Sequence, residues 1–345
     1  METTNQKEID PGRIMQIGMG FWASKILLTA VSMGLFTLLA KGGLSGEEIR
    51  AKLGLHKRSL YDFLDALVAL GFLQRTGLKA TSVYTNAADT DLFLDKNKPS
   101  YIGGIMEMAN HRLYPFWNNL EEGLKTGKPQ SEIKSSDKPF FEEIYADKNK
   151  LQEFVKAMSG AQMGNFIAFS KAFDFSRYKT LCDIGGAGGA LSAHVAMNNH
   201  HMTCISFDLP PVGPVAEENI QQMGLSSRVS VKSGDMFKDD FPKADVITMG
   251  NILHDWGTAE KKILMKKAYD ALPEGGAFVV IENIIDDDRR QNAFGLMMSL
   301  NMLIETTDGY DFSKADFDVL AKEVGFKNTS LMPLTGPSSA AIAIK

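Results

Sequence analysis

From Lys179 onward the chain repeats one pattern, a short apolar run followed by an amphipathic segment. The runs are TLCDI from Thr180, TCISFD from Thr203, RVSVKSGD from Arg228, ADVITM from Ala244 and AFVVIE from Ala277. Helical segments are predicted from Ala190, up to Met223, over 258–272 and over 293–305. Apolar runs of strand length separated by helices are the pattern of a parallel sheet covered on both faces. Residues 326–332 and 340–345 then predict a terminal β-hairpin that completes the sheet. The expected class is therefore α/β, a Rossmann-like domain around a seven-stranded, mostly parallel sheet.

The first hundred residues read differently. Helices are predicted over 12–40, 45–53 and 57–70, with Gly54 and Gly71 as stops and Ser45 with Glu48 as a capping box. Leu60, Phe63, Leu64, Leu67 and Val68 share one helical face, and LQRTGLKATSVYTN follows as two short strands around a turn. This order is that of a winged helix. His56, Lys57 and Arg58 would read DNA in such a unit. However, Asp62 and Asp65 stand close by, and a balance of +2 over residues 1–100 offers little counterion release. A dimerisation module of winged-helix shape is the preferred reading. Residues 101–175 are helical, broken at Lys98-Pro99, Lys128-Pro129 and Lys138-Pro139, and are expected to bridge the two halves. The expected domains are thus 1–100, 101–175 and 176–345, in keeping with a length of 345 residues.

A formal charge of −5 leaves no global positive field for a polyanion, so nucleic acid is not an expected partner. Cys182 and Cys204 make no disulfide framework or metal motif. The polar, acidic start lacks the form of a signal peptide, and the apolar stretch 26–40 is too short for a membrane span of about 20 residues. It is read as a buried helix in a cytoplasmic protein with no membrane partner. Eighteen methionines fit a roomy apolar pocket.

The chemistry concentrates at the carboxyl ends of the predicted strands. Asp183-Ile-Gly185-Gly186-Ala187-Gly188-Gly189 follows the first strand, where glycines allow a tight turn and close approach to a ligand. Neither frame of these glycines completes the G-x-G-x-x-G of a dinucleotide site. Asp183 would repel a pyrophosphate but suits a cationic ligand, and S-adenosylmethionine is one. Asp208, in FDLP, is placed for its ribose hydroxyls, and Asp235-Met236-Phe237 for the adenine amine and ring.

The fourth strand runs into Asn251-Ile-Leu-His254-Asp255-Trp256. A histidine there is a natural general base near neutral pH. It would take a hydroxyl proton as the oxygen attacks the sulfonium methyl, and Glu282 and Asp311 are the candidate carboxylates to orient it. His200 and His201, expected on a strand edge, and His56, His111 and His194 have no metal-ligand spacing, so no metal is expected.

LCDIGGAGGALS, FDLPPV, GDMF, LHDW, ALPEGGAFVVIENIIDDDRR, SLNML and LAKEVGF, in this order, resemble the metal-independent small-molecule O-methyltransferases. This is the family of plant caffeic acid and hydroxyindole (acetylserotonin) O-methyltransferases; LHDW and SLNML look most like the hydroxyindole branch. The resemblance covers nearly the whole chain. It implies S-adenosylmethionine as cofactor, with S-adenosylhomocysteine as product, and His254 as base flanked by Glu282 and Asp311. It places Asp183, Gly185, Gly186, Asp208, Leu209, Gly234, Asp235, Met236, Phe237, Asn251, Tyr145 and Gln162 at the cofactor. Asp255, Asn301, Glu305, Met158 and Trp256 would face a small aromatic acceptor. The N-terminal domain would form a homodimer, with Met19, Phe21 and Trp22 lining the partner's pocket.

This chain departs from the family at four places. Ala187 stands where a third glycine is usual, and Gly250 and Asn251 where a Lys or Arg is usual. Asp311-Phe312-Ser313 replaces Glu-Arg-Thr, and Glu305 replaces an uncharged glutamine, which favours an amine-bearing or differently shaped acceptor. The expected function is O-methylation of a phenolic or hydroxyindole-like metabolite. The alternatives are C- or N-methylation, a non-methylating enzyme on the same fold, or a winged-helix regulator that senses a small molecule.

Overall fold

The structure, a computed structural model, describes residues 9–135 and 147–345. The chain divides into two compact units, Met1–Arg112 and Leu113–Lys345. In the first, the 12–40 stretch is three helices rather than one: Gly12–Gly18, Gly20–Ser32 and Leu35–Leu39. The expected single helix is interrupted first at Met19 (φ −98°, ψ 1°) and then at Gly34, whose φ of 72° is a left-handed conformation open to glycine at little cost. Its apolar residues are partly internal, with Ala30, Val31, Leu35, Phe36 and Leu39 packed on Ile49, Leu60, Leu64 and Leu67. By length and composition alone, the run Gly12–Ser32 is apolar enough to cross a membrane.

Ser45 caps the Gly46–Leu53 helix as expected, its hydroxyl accepting from the Glu48 N–H while its own N–H donates to Glu48 Oε2. The following helix, Leu60–Ala69, starts three residues later than the sequence predicted, and Lys57 and Arg58 lie in the exposed turn before it. The His56 ring nitrogen accepts from the Arg58 N–H there, which holds the turn. Strands β1 (Leu44–Ser45), β2 (Leu73–Thr76) and β3 (Val83–Asn86) form an antiparallel sheet in the order β1-β3-β2.

The second unit holds the seven-stranded sheet. Its strands are β4 (Thr180–Ile184), β5 (Thr203–Asp208), β6 (Val229–Ser233), β7 (Val246–Gly250), β8 (Ala277–Glu282), β9 (Asn328–Pro333) and β10 (Ser339–Ile344). They run in the order β6-β5-β4-β7-β8-β10-β9. The five strands from β6 to β8 are mutually parallel, whereas β10 is antiparallel to both β8 and β9. Alternate side chains serve opposite faces, as the strand period of two requires. Phe278 and Val280 enter one core with Ile247, Met249 and Phe317; Val279 and Ile281 enter the other with Leu181, Leu191 and Phe169. Burial on both faces is why these strands read as unbroken apolar runs. His200 lies in the turn before β5 with His201, not on a strand, because β5 begins only at Thr203. The parallel arrangement brings the carboxyl ends of β4, β5, β6, β7 and β8 to one edge, and the candidate site lies along it.

Candidate active site

The β4 strand delivers Asp183 into the interior and passes directly into the glycine turn. Gly185 (φ 70°), Ala187 (φ 46°) and Gly189 (φ 75°) are left-handed there. The N–H groups of Gly185 and Gly186 both donate to the Phe207 carbonyl of β5. Internal packing also calls for small residues: a Cβ on Gly186 would lie 2.3 Å from Ser206 Oγ, and one on Gly185 2.3 Å from Ile252 Cδ1. Asp208, at the end of β5, accepts from the N–H of Ala187 (2.8 Å, Oδ2) and of Leu209 (2.7 Å, Oδ1), so it ties two segments of the edge together. Burial, only partly offset by these bonds, pushes its carboxyl up to about 6. Asp183 accepts from Thr248 Oγ1 at 2.7 Å; burial and the neighbouring Asp208 raise it to about 7.

Asp235, the residue expected to take the adenine amine, already has local partners. Its carboxylate accepts from the Phe237 N–H at 2.9 Å and pairs with Lys238 Nζ at 2.9 Å, and the lysine holds its pKa below the ordinary value. These local partners compete with an adenine amine for the same oxygens. Gly234 is small because Phe207 fills the space where a Cβ would stand. Phe237 packs edge-on against Trp256, with ring centroids 4.5 Å apart, and Met236 lies against the adjoining core. Asn251, with a φ of 54°, makes the turn out of β7, a conformation that asparagine tolerates better than most residues.

His254 sits on the short 3-10 turn Leu253–Asp255 immediately beyond β7 and is buried. Its Nδ1 lies 3.3 Å from Asp311 Oδ1, and its Nε2 lies 3.6 Å from Asp255 Oδ1. Glu282, at the end of β8, instead accepts from the His254 backbone N–H at 3.2 Å. Of the two carboxylates expected to orient the ring, Asp311 contacts the imidazole and Glu282 anchors the turn that carries it. Burial alone would push the imidazole pKa down, but Asp255, Asp311 and Glu282 together outweigh it and raise it to about 10. Burial and the other acids push Asp255 and Glu282 up to about 7. Glu282 Oε2 and Asp311 Oδ2 are buried with no hydrogen-bond partner among the described residues. The cluster is therefore built to hold protons between its members.

Ligand atoms of His254, Glu282 and Asp311 lie within 4.8 Å of one another, close enough to share a metal ion. Two features oppose a further cation: the His254 N–H already donates to Glu282, and a buried lysine lies close by. That lysine, Lys261 on the Thr258–Ala271 helix, escaped the sequence reading. It has no exposed surface, and its Nζ donates to the carbonyls of Trp256 (2.5 Å) and Tyr310 (3.0 Å). Burial lowers its pKa to about 8 against the pull of Glu282, Asp311 and Asp255.

The Ala293–Glu305 helix carries Asn301 and Glu305, both buried. Asn301 Oδ1 accepts from the Trp117 indole N–H at 2.8 Å, and the Glu305 carboxylate is near enough to raise the pKa of Asp255. Met158 and Gln162 lie on the Lys148–Ala172 helix, where Gln162 Oε1 accepts from Asn165 Nδ2 at 2.8 Å. Tyr145 and the Lys138-Pro139 break lie outside the described residues.

Such a sheet, with acids at the ends of β4 and β5 and a carboxylate-backed histidine beyond β7, defines a class that sequence comparison identifies. Residues 117–327 match the O-methyltransferase domain family and residues 15–96 the O-methyltransferase dimerisation domain, and the chain belongs to the O-methyltransferase family. It is 37% identical over 335 residues, 97% of each chain, to the tetracenomycin polyketide synthesis 8-O-methyl transferase TcmO of Streptomyces glaucescens. It is 29% identical over 328 residues to the N,N-dimethyltransferase OxyT of Streptomyces rimosus, covering 95% of this chain and 94% of OxyT. Its fold matches human N-acetylserotonin methyltransferase, solved in complex with SAM, with a TM-score of 0.91 at 25% identity and 99% coverage of both chains.

Proposed function

We propose that this protein transfers the methyl group of S-adenosylmethionine to a hydroxyl of a small aromatic metabolite, with His254 as general base. The contact of His254 Nδ1 with Asp311 carries this reading, because it fixes the ring and leaves Nε2 as the nitrogen to receive a proton. The cofactor supplies a methyl group on a sulfonium centre that is ready for displacement.

The chain's residues suit that cofactor. Asp183 and Asp208 make the edge acidic, which favours a cationic ligand over a pyrophosphate, and Asp208 keeps lone pairs beyond those used by Ala187 and Leu209. Gly185, Gly186 and Leu209 would line the same edge with Gly234, Met236, Phe237, Asn251 and Gln162. On the acceptor side, Asp255, Trp256, Asn301, Glu305 and Met158 would position the ring. His254 Nε2 takes the hydroxyl proton as the new O–C bond forms and the C–S bond breaks, and Asp311 stabilises the imidazolium. No metal takes part in this scheme.

The reading includes a homodimer formed through the dimerisation domain, and a cytoplasmic location. Ile14, Met15, Ile17, Phe21 and Trp22 expose an apolar surface suited to a second copy of the chain. Similarity to OxyT favours N-methylation as the second reading. The deciding assay supplies labelled S-adenosylmethionine with phenols, hydroxyindoles, polycyclic phenols and aromatic amines. Methylation of hydroxyls that is lost in His254→Ala supports the proposal. Transfer only to amines, or transfer indifferent to His254, overturns it.

A further inference from the structure

We propose that Asn165 is a positioning residue for the cofactor: anchored by the Thr335 N–H, it turns the Gln162 amide so that Nε2 donates to the carboxylate of S-adenosylmethionine. The inference rests on the cofactor reading and adds which end of the ligand Gln162 meets and what aims it. The Lys148–Ala172 helix lies along the carboxyl edge of the sheet. A Cβ on Gly188, in the glycine turn, would lie 3.1 Å from Val155 Cγ1 and 3.3 Å from Ser159 Oγ, and one on Gly250, at the end of β7, 3.4 Å from Phe166 Cε1. Val155, Ser159, Gln162 and Phe166 share one helical face, so Gln162 stands between these two contacts, over the crevice between β4 and β7. The chain winds to opposite sides of β4, to β5 on one and β7 on the other, and such a crevice is where open α/β sheets bind ligands.

Hydrogen-bond polarity fixes the amides. The Thr335 backbone N–H, which can only donate, lies 3.1 Å from Asn165 Oδ1, and the Thr335 hydroxyl donates to the same oxygen. Asn165 is thereby left to present Nδ2 to Gln162, whose Oε1 accepts from it at 2.8 Å. Both side chains are buried, and among the described residues Gln162 Nε2 has no hydrogen-bond partner, yet it is not sealed from solvent. The anchor is itself held: Ser338, in the same β9–β10 turn, donates its hydroxyl to Asn283 Oδ1 at 2.8 Å, and the Pro337 carbonyl accepts from Asn292 Nδ2 at 3.1 Å. With the ribose at Asp208 and the adenine beside Met236 and Phe237, the nucleoside lies over β5 and β6, so the part that reaches the β4–β7 crevice is the amino-acid tail. Its carboxylate only accepts hydrogen bonds, and Gly250 and Asn251 bring no cation to that side. A fixed neutral donor suits it, and the bond it makes is charge-assisted.

The test compares calorimetric affinities for S-adenosylhomocysteine and for methylthioadenosine, which keeps the adenosine and the sulfur but has no carboxylate. Asn165→Leu leaves the Gln162 amide free to rotate. The dissociation constant of S-adenosylhomocysteine is expected to rise about tenfold, with that of methylthioadenosine within about threefold of wild type. Gln162→Leu, which deletes the donor, is expected to show the same split. Adding Asn165→Leu to Gln162→Leu should then change affinity by less than about twofold, since no amide remains to be aimed. Thermal unfolding verifies that each variant is folded. Should Asn165→Leu not fold, Asn165→Asp, which keeps the acceptor for Thr335 but has no N–H for Gln162, is expected to show the same split. Equal weakening of both ligands, unchanged affinity for S-adenosylhomocysteine, or an undiminished effect of Asn165→Leu in the Gln162→Leu background overturns this proposal alone. A wild type that binds neither ligand overturns the cofactor reading and this proposal with it.

Discussion

His254 Nδ1 stands 3.3 Å from Asp311 Oδ1, a contact between residues 57 positions apart in the chain. One lies beyond β7 and the other in the loop before the Lys314–Val324 helix. The N–H of Ile285, just after β8, donates to the Phe312 carbonyl at 3.0 Å, which holds the Asp311 loop against the end of the sheet. The Asp311 N–H adds a bond to Ser299 Oγ at 3.2 Å. Asp311 therefore reaches the imidazole from a segment fixed on two sides, although its side chain is one methylene shorter than the glutamate usual in the family.

Removing the imidazole should abolish proton transfer while sparing the cofactor end of the sheet. His254→Ala is expected to lower kcat by roughly 10²- to 10⁴-fold, with the dissociation constant of S-adenosylhomocysteine within about threefold of wild type. Asp311→Asn, which keeps the shape but removes the charge, is expected to lower kcat less, by about tenfold or more. Steady-state kinetics combined with calorimetry checks both. A His254→Ala enzyme that turns over a phenol at the wild-type rate would remove the histidine from the mechanism.

The pH dependence follows from the same cluster. His254 is raised to about 10, and Asp255 and Glu282 to about 7, so between pH 6 and 9 the site loses protons as pH rises. A base acts only after losing its proton, so kcat/KM should climb through this window with an alkaline optimum. A profile that falls from pH 6 to 9 would contradict a base that must lose its proton before it acts.

Much of this site is legible in the sequence, and the rest is hidden for definable reasons. Strands β4, β5 and β8 were readable because they are buried on both faces and end at an acid or a glycine turn. The break at Gly34 was not, since a glycine inside an apolar stretch is compatible with a continuing helix until packing decides. Lys261 was invisible in TAEKKILMKK, where it looks like any solvent-facing lysine of an amphipathic helix. Glu282 was correctly brought to His254, but that it would grip the backbone N–H rather than the ring depends on the tertiary path of the turn. Asp235 carried a local signal that was passed over: an aspartate two residues before an available N–H readily closes an Asx turn.

Asp208 offers a test of the cofactor end. Asp208→Ala deletes an acceptor for two backbone N–H groups as well as the expected ribose contact. The dissociation constant for S-adenosylhomocysteine should rise about tenfold or more, a charge-assisted bond being worth roughly 1.5 to 3 kcal/mol. In the wild type, binding that requires the carboxylate should weaken as pH falls below about 6, where the carboxyl becomes protonated. Calorimetry between pH 5 and 8 reads this directly, and an affinity independent of both pH and Asp208 would misplace the ribose.

The raised carboxyls also set a stability trend in the protein without cofactor. Asp183 and Asp208 titrate at about 7 and 6 in the folded state, against about 3.9 when unfolded. Between these values the folded state binds more protons, so this pair contributes a stability that is present at low pH and is lost as pH rises from about 4 to 7. Asp183→Asn, which keeps the shape and an acceptor for Thr248, should flatten that slope. Denaturant midpoints across the window would reveal a wild-type slope no steeper than the variant's if the burial of Asp183 carried no such cost.

Ala187 supplies the last prediction, because here backbone strain and ligand binding can be separated. Its φ of 46° places an L side chain in the left-handed region, at a cost of roughly 1 to 2 kcal/mol relative to glycine. Ala187→Gly removes that strain but gives the unfolded chain more freedom, which returns about 0.4 to 1 kcal/mol. The net expectation is a gain in stability of up to about 1.5 kcal/mol, seen as a modestly higher midpoint of thermal unfolding. Affinity for S-adenosylhomocysteine should hold or improve, since the N–H that Ala187 donates to Asp208 Oδ2 belongs to the backbone and survives the change. A loss of both stability and affinity would mean that the methyl group makes a favourable contact with the buried cluster of Leu151, Val155 and Val212 against which it packs. The alanine would then be an adaptation of this chain's glycine turn and not a strained departure from the family pattern.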